Sequence, residues 1–133
     1  MILNRYIDHT LLKPTATKDD IIQLCEEAKQ YNFFSVCINS CYVSLVKKQL
    51  KNSDVKICSV IGFPLGAMST ESKVFETQQA LNDGADEIDM VINLGYLKSK
   101  DFDAVIKDIE AAKNKMPNKV LNVILETCYL DDE

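Results

Sequence analysis

The segment Gly84-Ala-Asp-Glu-Ile-Asp-Met-Val-Ile-Asn93 constrains this chain more than any other. Its apolar run from Ile88 to Ile92 is short, rich in β-branched residues and preceded by Gly84, the pattern of a strand entered from a turn. Near-continuous hydrophobicity of this kind suits a parallel strand covered on both faces. Yet the run carries a carboxylate, Asp89. A charge in that setting is costly unless it is paired or put to use. Asp89 is therefore either a structural residue held by backbone or lysine partners, or a residue kept for chemistry.

Three more segments read as strands: residues 33–39, 55–61 and 120–127. Amphipathic stretches separate them. Thr17-Lys-Asp-Asp20 has the form of a capping box, and Ile21, Leu24, Cys25 and Ala28 follow at helical spacing. That predicts an extra helix ahead of the first strand. A second helix begins near Ser40 and carries Tyr42, Leu45, Val46 and Leu50 on one face. Ser69 or Thr70 caps a third, with Val74, Thr77, Gln78 and Leu81 as its stripe and Gly84 as its stop. Phe102, Val105, Ile106, Ile109 and Ala112 mark a fourth, closed by Pro117. The Gly and Pro content of Gly62-Phe-Pro-Leu-Gly66 marks a loop.

Strands alternating with helices predict βαβ units and a parallel sheet. The right-handed crossover rule leaves an open doubly wound sheet or a barrel. No glycine-rich dinucleotide fingerprint or Walker lysine follows the first strand, which weakens nucleotide binding. Polar residues fall near the carboxyl ends of strands: Asn39, Asp89 with Asn93, and Glu126. A (β/α)8 barrel places its chemistry there, although it needs eight strands and only four are visible. Glu87 is expected on the face opposite Asp89.

The 133 residues suffice for one domain, and 47% of them are apolar, so a core is within reach. A net charge of −5 argues against a nucleic-acid footprint. Lys47, Lys48 and Lys51 cluster at helical spacing and read as a solvated face. No apolar run has transmembrane length and the start lacks a signal-peptide pattern, so a cytoplasmic chain with no membrane partner is expected. Five cysteines, scattered through apolar segments, read as buried free thiols. Cys37 and Cys41 are separated by three residues, not the two of a zinc knuckle, and His9 is the single histidine; no metal site is expected.

Five motifs occur in order: Ile7-Asp-His-Thr-Leu-Leu-Lys-Pro14, Val36-Cys-Ile38, Val60-Ile-Gly-Phe-Pro-Leu-Gly-Ala67, the segment from Gly84 to Asn93, and Val123-Ile-Leu-Glu-Thr127. Together they resemble the deoxyribose-phosphate aldolase family, class I aldolases on a TIM barrel, along the whole chain. The resemblance implies reversible cleavage of 2-deoxy-D-ribose 5-phosphate, a small phosphorylated sugar, to glyceraldehyde 3-phosphate and acetaldehyde. It implies a lysine Schiff base, no cofactor, no metal, and a homo-oligomer. Asp89 matches the family's strand-borne aspartate, a proton relay in carbinolamine formation and breakdown. Cys37 matches a cysteine facing the active site; its other reading is a small buried strand residue. Asp8 and Thr10 match a motif near the mouth of the site, where each could equally be structural. His9 beside them reads as a hydrogen-bonding anchor, and Glu126 as a supporting carboxylate.

The family's Schiff-base lysine, its tuning lysine and its phosphate loops belong to later strands and have no counterpart in residues 1–133. Lys13, Lys56, Lys98, Lys100 and Lys119 sit in loops, at strand starts or at a helix start, where none has the burial or cationic neighbour that a Schiff-base lysine needs. The expected architecture is thus the N-terminal half of a TIM barrel: residues 1–133 as a partial domain of four parallel strands, truncated after the fourth and inactive alone. A non-catalytic half-barrel assembly module is the alternative; another lyase or isomerase on the same barrel is a third reading. The strands at 33–39 and 120–127 are expected as open edges. Val36, Ile38, Val60, Val91 and Val123 are expected to line the exposed inner face and to drive self-association.

Overall fold

Hydrogen bonding along the apolar runs builds a single five-stranded sheet in the computed structural model, which describes residues 3–131. The strands are β1 (Asp8–Leu11), β2 (Ser35–Asn39), β3 (Lys56–Ile61), β4 (Glu87–Val91) and β5 (Val120–Ile124). Each pairs in parallel with the next, in chain order. That order never reverses, so it lacks the switch point of a doubly wound sheet. Right-handed crossovers repeated in one direction place the connecting helices on one face. The chain is a partial α/β barrel: five consecutive strands of a wall that closes with eight.

The fifth strand corrects the expectation of four. β1 lies in Ile7-Asp-His-Thr-Leu-Leu-Lys-Pro14, where four residues with an Asp, a His and a nearby Pro give no periodic signal. Pairing makes it a strand: Asp8 to Leu11 lie in register with Ser35 to Ile38. Consequently β2 is an interior strand, and β1 and β5 are the edges. The run at 120–127 also ends early. The ladder stops at Ile124, and Glu126 has left-handed backbone (φ 50°) at the entry to a 3-10 turn, Thr127–Tyr129.

Helix boundaries follow local chemistry. α1 (Lys18–Gln30) has the complete capping box, Thr17 bonding the Asp20 N–H while the Asp20 carboxylate accepts from the Thr17 N–H. α2 (Val43–Gln49) follows a 3-10 turn. α3 (Thr70–Asp83) is capped by Ser69 and closed by Gly84 at φ 113°. A short helix α4 (Leu94–Lys98), not legible beforehand, is capped by Asn93, whose Oδ1 accepts from the Tyr96 N–H at 3.1 Å. α5 (Phe102–Lys113) is capped by Asp101.

Strand alternation divides the sheet into two faces. Val36, Ile38, Ile57, Ile61, Ile88 and Met90 pack under the helices with Ile21, Leu24, Val46, Ala80 and Ala112; this layer is the main core. The helix-free face, which becomes a barrel interior on closure, carries a smaller cluster of Cys37, Cys58 and Val60 with Leu12, Phe63 and Ile124 packed against it. Val36 and Ile38, expected on the inner face, lie under the helices, and Val123 follows by alternation with Leu121. Val60 stays on the inner face, with Val91 two residues beyond Asp89, but both are buried, against the expectation that this face is exposed.

The stripe of α3 is rotated from its expected position. Lys73, Thr77 and Ala80 are its buried residues, whereas Gln78 is exposed. Lys73 is fully buried and its Nζ lies 2.6 Å from Asp108 Oδ2 on α5. Lys73 also donates to the Val91 carbonyl at 3.0 Å, and the Thr70 hydroxyl donates to Asp108 Oδ1 at 2.9 Å. On α5 the matching shift buries Val105, Asp108 and Ala112 and leaves Phe102 and Ile106 outside. A buried ion pair thus takes the place that an apolar stripe would have filled.

The loop after β3 is set by close contacts. Gly62 and Gly66 have φ of 61° and 64°, and a methyl on Gly66 would clash with the Ile92 carbonyl oxygen. The Glu76 carboxylate accepts from the Gly62 N–H at 2.8 Å and from the Ser40 hydroxyl at 2.7 Å. These bonds fix the loop against α3 at the carboxyl end of β3. Among the five cysteines Cys25, Cys37 and Cys58 are buried, but Cys41 and Cys128 are exposed, against the expectation of burial throughout. Among the described residues no helix is long and apolar enough to cross a membrane.

Candidate active site

Asp89 is the third of the five β4 residues and faces the helix-free side, since its neighbours Ile88 and Met90 pack under the helices. Pairing aligns Asp89 with Val60 on one side and Asn122 on the other. Two side chains reach it. Asn122 donates from Nδ2 to Asp89 Oδ1 at 2.9 Å, and the Cys37 thiol points at Oδ2 from 3.8 Å. Cys37 comes from β2, across β3, as expected where alternate strands of a barrel contribute to one interior layer. Asp89 therefore has a hydrogen-bond partner on each carboxylate oxygen and no ionic partner among the described residues. The lysine-paired reading finds its buried pair elsewhere, at Lys73 and Asp108.

Cys58 completes the cluster. It is in register with Cys37, and the Sγ atoms of both and an Asp89 oxygen all lie within 4.8 Å of one another. Its thiol is pushed far up from its ordinary value, first by its hydrogen bond with Cys37, then by burial, then by the negative charge available at Cys37 and Asp89. Glu87 is two residues from Asp89 and so shares its face, correcting the expectation that it points away. Burial, followed by the charges of Asp8, Asp89 and Asp86, raises the Glu87 carboxyl above its usual value, with Lys56 opposing.

Asp8 and Thr10 lie on this face of β1 but contact neither Asp89 nor Cys37 through hydrogen bonds. Asp8 sits at the amino end of the strand, where its Oδ1 accepts from the Ser35 hydroxyl at 2.6 Å. Thr10 is in register with Cys37, and its hydroxyl turns back to the Asp8 carbonyl at 2.8 Å. The structure thus brings Cys37 and Asp89 together, sets Thr10 beside Cys37, and leaves Asp8 a step below. His9 faces the helices, where Nε2 lies 2.7 Å from Glu27 Oε2 and the ring packs on Phe33 at 5.0 Å. That is the anchoring role expected of it. Glu126, beyond the end of β5, accepts a 3.5 Å contact from Cys128 and reaches no other site residue by hydrogen bonding.

Asn122 and Cys58 join the site beyond the residues expected from the sequence, and only Asn122 carries a sequence signal. Asn122 is a polar residue inside an apolar strand, the same anomaly as Asp89. Cys58 offered none, because a cysteine is at home in a buried strand. Among the described residues the inner face carries no lysine at the carboxyl end of a strand. Lys56 lies at the amino end of β3, and Lys119 donates to the Ala85 carbonyl at 2.6 Å.

The sequence model of the DeoC/LacD family aldolases matches residues 2–133. The deoxyribose-phosphate aldolase of Finegoldia magna is 63% identical over 133 residues, covering 100% of this chain and 62% of that protein. That of Clostridium novyi is 60% identical over 134 residues, covering 100% of this chain and 60% of that protein. Among solved structures, an aldolase designated QR15 superposes with a TM-score of 0.91 at 37% identity, covering 96% of this chain and 57% of its own. The tetrameric deoxyribose phosphate aldolase of Aeropyrum pernix gives 0.84 at 37% identity, covering 98% and 55%. The chain therefore spans about 60% of the length of the curated relatives it matches. Its motifs, its unreversed strand order and these matches agree: the chain belongs to the DeoC/LacD family of aldolases.

Proposed function

We propose that this chain contributes the proton-relay half of an aldolase active site that reversibly cleaves 2-deoxy-D-ribose 5-phosphate to glyceraldehyde 3-phosphate and acetaldehyde. The observation that carries the reading is Asp89. It is a carboxylate with no ionic partner among the described residues, on the inner face of an aldolase-family sheet, oriented by Asn122 and facing Cys37. In a Schiff-base mechanism the substrate carbonyl is attacked by a lysine amine to give a carbinolamine, which loses water as the imine forms. Both steps move protons to and from oxygen. A carboxylate with one oxygen fixed by a donor and the other turned to the interior suits that relay. Asn122 acts as the positioning residue, Cys37 and Thr10 line the site, and Asp8 ties β1 to β2 beneath it.

The nucleophilic lysine is assigned to the remainder of the barrel, outside this chain. Lys73 is the one fully buried lysine among the described residues, but it lies under the helices in its ion pair with Asp108. It is therefore unavailable to a substrate on the opposite face. The chain alone is expected to form no specific imine. Incubation with acetaldehyde and borohydride, followed by intact-mass analysis, should show no stoichiometric adduct. A single adduct at one lysine, lost on Asp89→Asn, would refute the assignment.

The unpaired edges β1 and β5 favour association, in keeping with the homo-oligomer implied by the family. The chain is expected to scatter light with a mass above the 15.0 kDa of a monomer, increasing with concentration. A constant monomer mass with slow amide exchange along both edge strands would contradict this. The same edges underlie the assembly-module reading, which a full-length protein with wild-type sequence and no aldolase activity would support.

A further inference from the structure

We propose that Cys37, Cys58 and Asp89 form a binding site for one soft or borderline divalent cation, of the Zn²⁺ or Cd²⁺ type. Three consecutive strands, β2, β3 and β4, bring the ligands together. Their donor atoms all lie within 4.8 Å of one another, and Cys37 Sγ is 3.8 Å from Asp89 Oδ2. Around tetrahedral zinc, bonds of about 2.3 Å to sulfur and about 2.0 Å to oxygen imply a sulfur–oxygen separation of roughly 3.5 Å. Small side-chain rotations would therefore close the site without moving a strand. Two thiolates and one carboxylate select a thiophilic ion over Mg²⁺ or Ca²⁺. Asn122, bonded to the other Asp89 oxygen, would hold the carboxylate as an outer partner does. The fourth coordination position would open onto the helix-free face, where water or a substrate oxygen can enter.

Electrostatics point the same way. Three groups able to carry negative charge crowd together with Glu87 on their face, and among the described residues no cation lies between them; Lys56 is at the amino end of β3. A divalent ion supplies the missing counter-charge. On binding, each thiol releases its proton to solvent as its sulfur forms the bond to the metal, with no change of oxidation state. Zinc-knuckle spacing does not exist in this sequence, so only the sheet assembles the ligands. Occupancy would take Asp89 out of proton transfer, making the ion an inhibitor of the aldolase; that consequence, unlike binding, rests on the function proposed above.

The test is a titration of the intact, phosphine-reduced protein with Cd²⁺ and Co²⁺, in a Cys41→Ser, Cys128→Ser background that removes the exposed thiols. One ion per chain should bind with thiolate-to-metal charge-transfer absorption and release about two protons. Cys58→Ser should weaken binding by more than the roughly 10–100-fold loss typical of an outer partner. Asp89→Asn should weaken binding while keeping the charge-transfer band. No such band, or one unchanged in both Cys58→Ser and Cys37→Ser, would overturn the site. If a serine variant fails to fold by circular dichroism, X-ray absorption on the parent protein decides: fewer than two sulfur ligands overturns the proposal. Tight binding without inhibition of the full-length aldolase would uphold the site and refute the catalytic reading of Asp89.

Discussion

Asp89→Asn is expected to lower turnover of 2-deoxy-D-ribose 5-phosphate by about 10²–10⁴-fold, the range in which a positioned general acid–base acts. The measurement belongs in a full-length aldolase of the family bearing the same motif from Gly84 to Asn93. The substitution keeps the shape of the side chain, and its amide can still meet Asn122 after a flip. Thermal stability should therefore change little while the chemical step slows. The loss should appear in kcat rather than in KM, because the carboxylate acts on protons that move only during reaction. Asn122→Ala should produce a smaller loss of the same kind, since it removes the donor that fixes Asp89 Oδ1. Wild-type turnover in Asp89→Asn would return the residue to a purely structural role.

Breaking the ion pair of Lys73 and Asp108 should have the largest effect on stability. Lys73→Met leaves the Asp108 carboxylate buried with only the Thr70 hydroxyl, and Asp108→Leu leaves the ammonium with only the Val91 carbonyl. Removing one partner of a buried pair costs about 3–5 kcal/mol, because the remaining charge keeps its desolvation penalty. A fall in Tm of more than about 10 °C follows for a chain of this size. The double variant Lys73→Met, Asp108→Leu should recover most of that loss, since well-packed apolar residues often replace a buried pair at little cost. Losses below about 1 kcal/mol in both single variants would mean that water reaches the pair. The pair joins α3 and α5 to the last residue of β4, two positions beyond Asp89. Its loss should therefore also loosen the site, seen as faster amide exchange along β4.

The amino-acid sequence determined the alternation of strand and helix, because each element carries its own period and its own stop. The capping box at Thr17 and Asp20, the Ser69 cap and the Gly84 terminus are local interactions, and all were legible. So was the position of Asp89, because a carboxylate in an apolar run contradicts its surroundings. Family membership was legible for a similar reason: five motifs kept their order. Tertiary structure alone decided the rest. β1 is a strand only because β2 pairs with it, and four residues hold no period of their own. The stripe of α3 turned toward Lys73 because a partner on α5, 35 residues later, satisfies its charge. Asn122 and Cys58 entered the site through register, which depends on neighbouring strands rather than on adjacent residues. Hydrophobic period and capping act within a few residues, so a sequence displays them directly. Charge pairing and side-chain clusters act across strands and layers, and they exist only once the sheet has brought their members together.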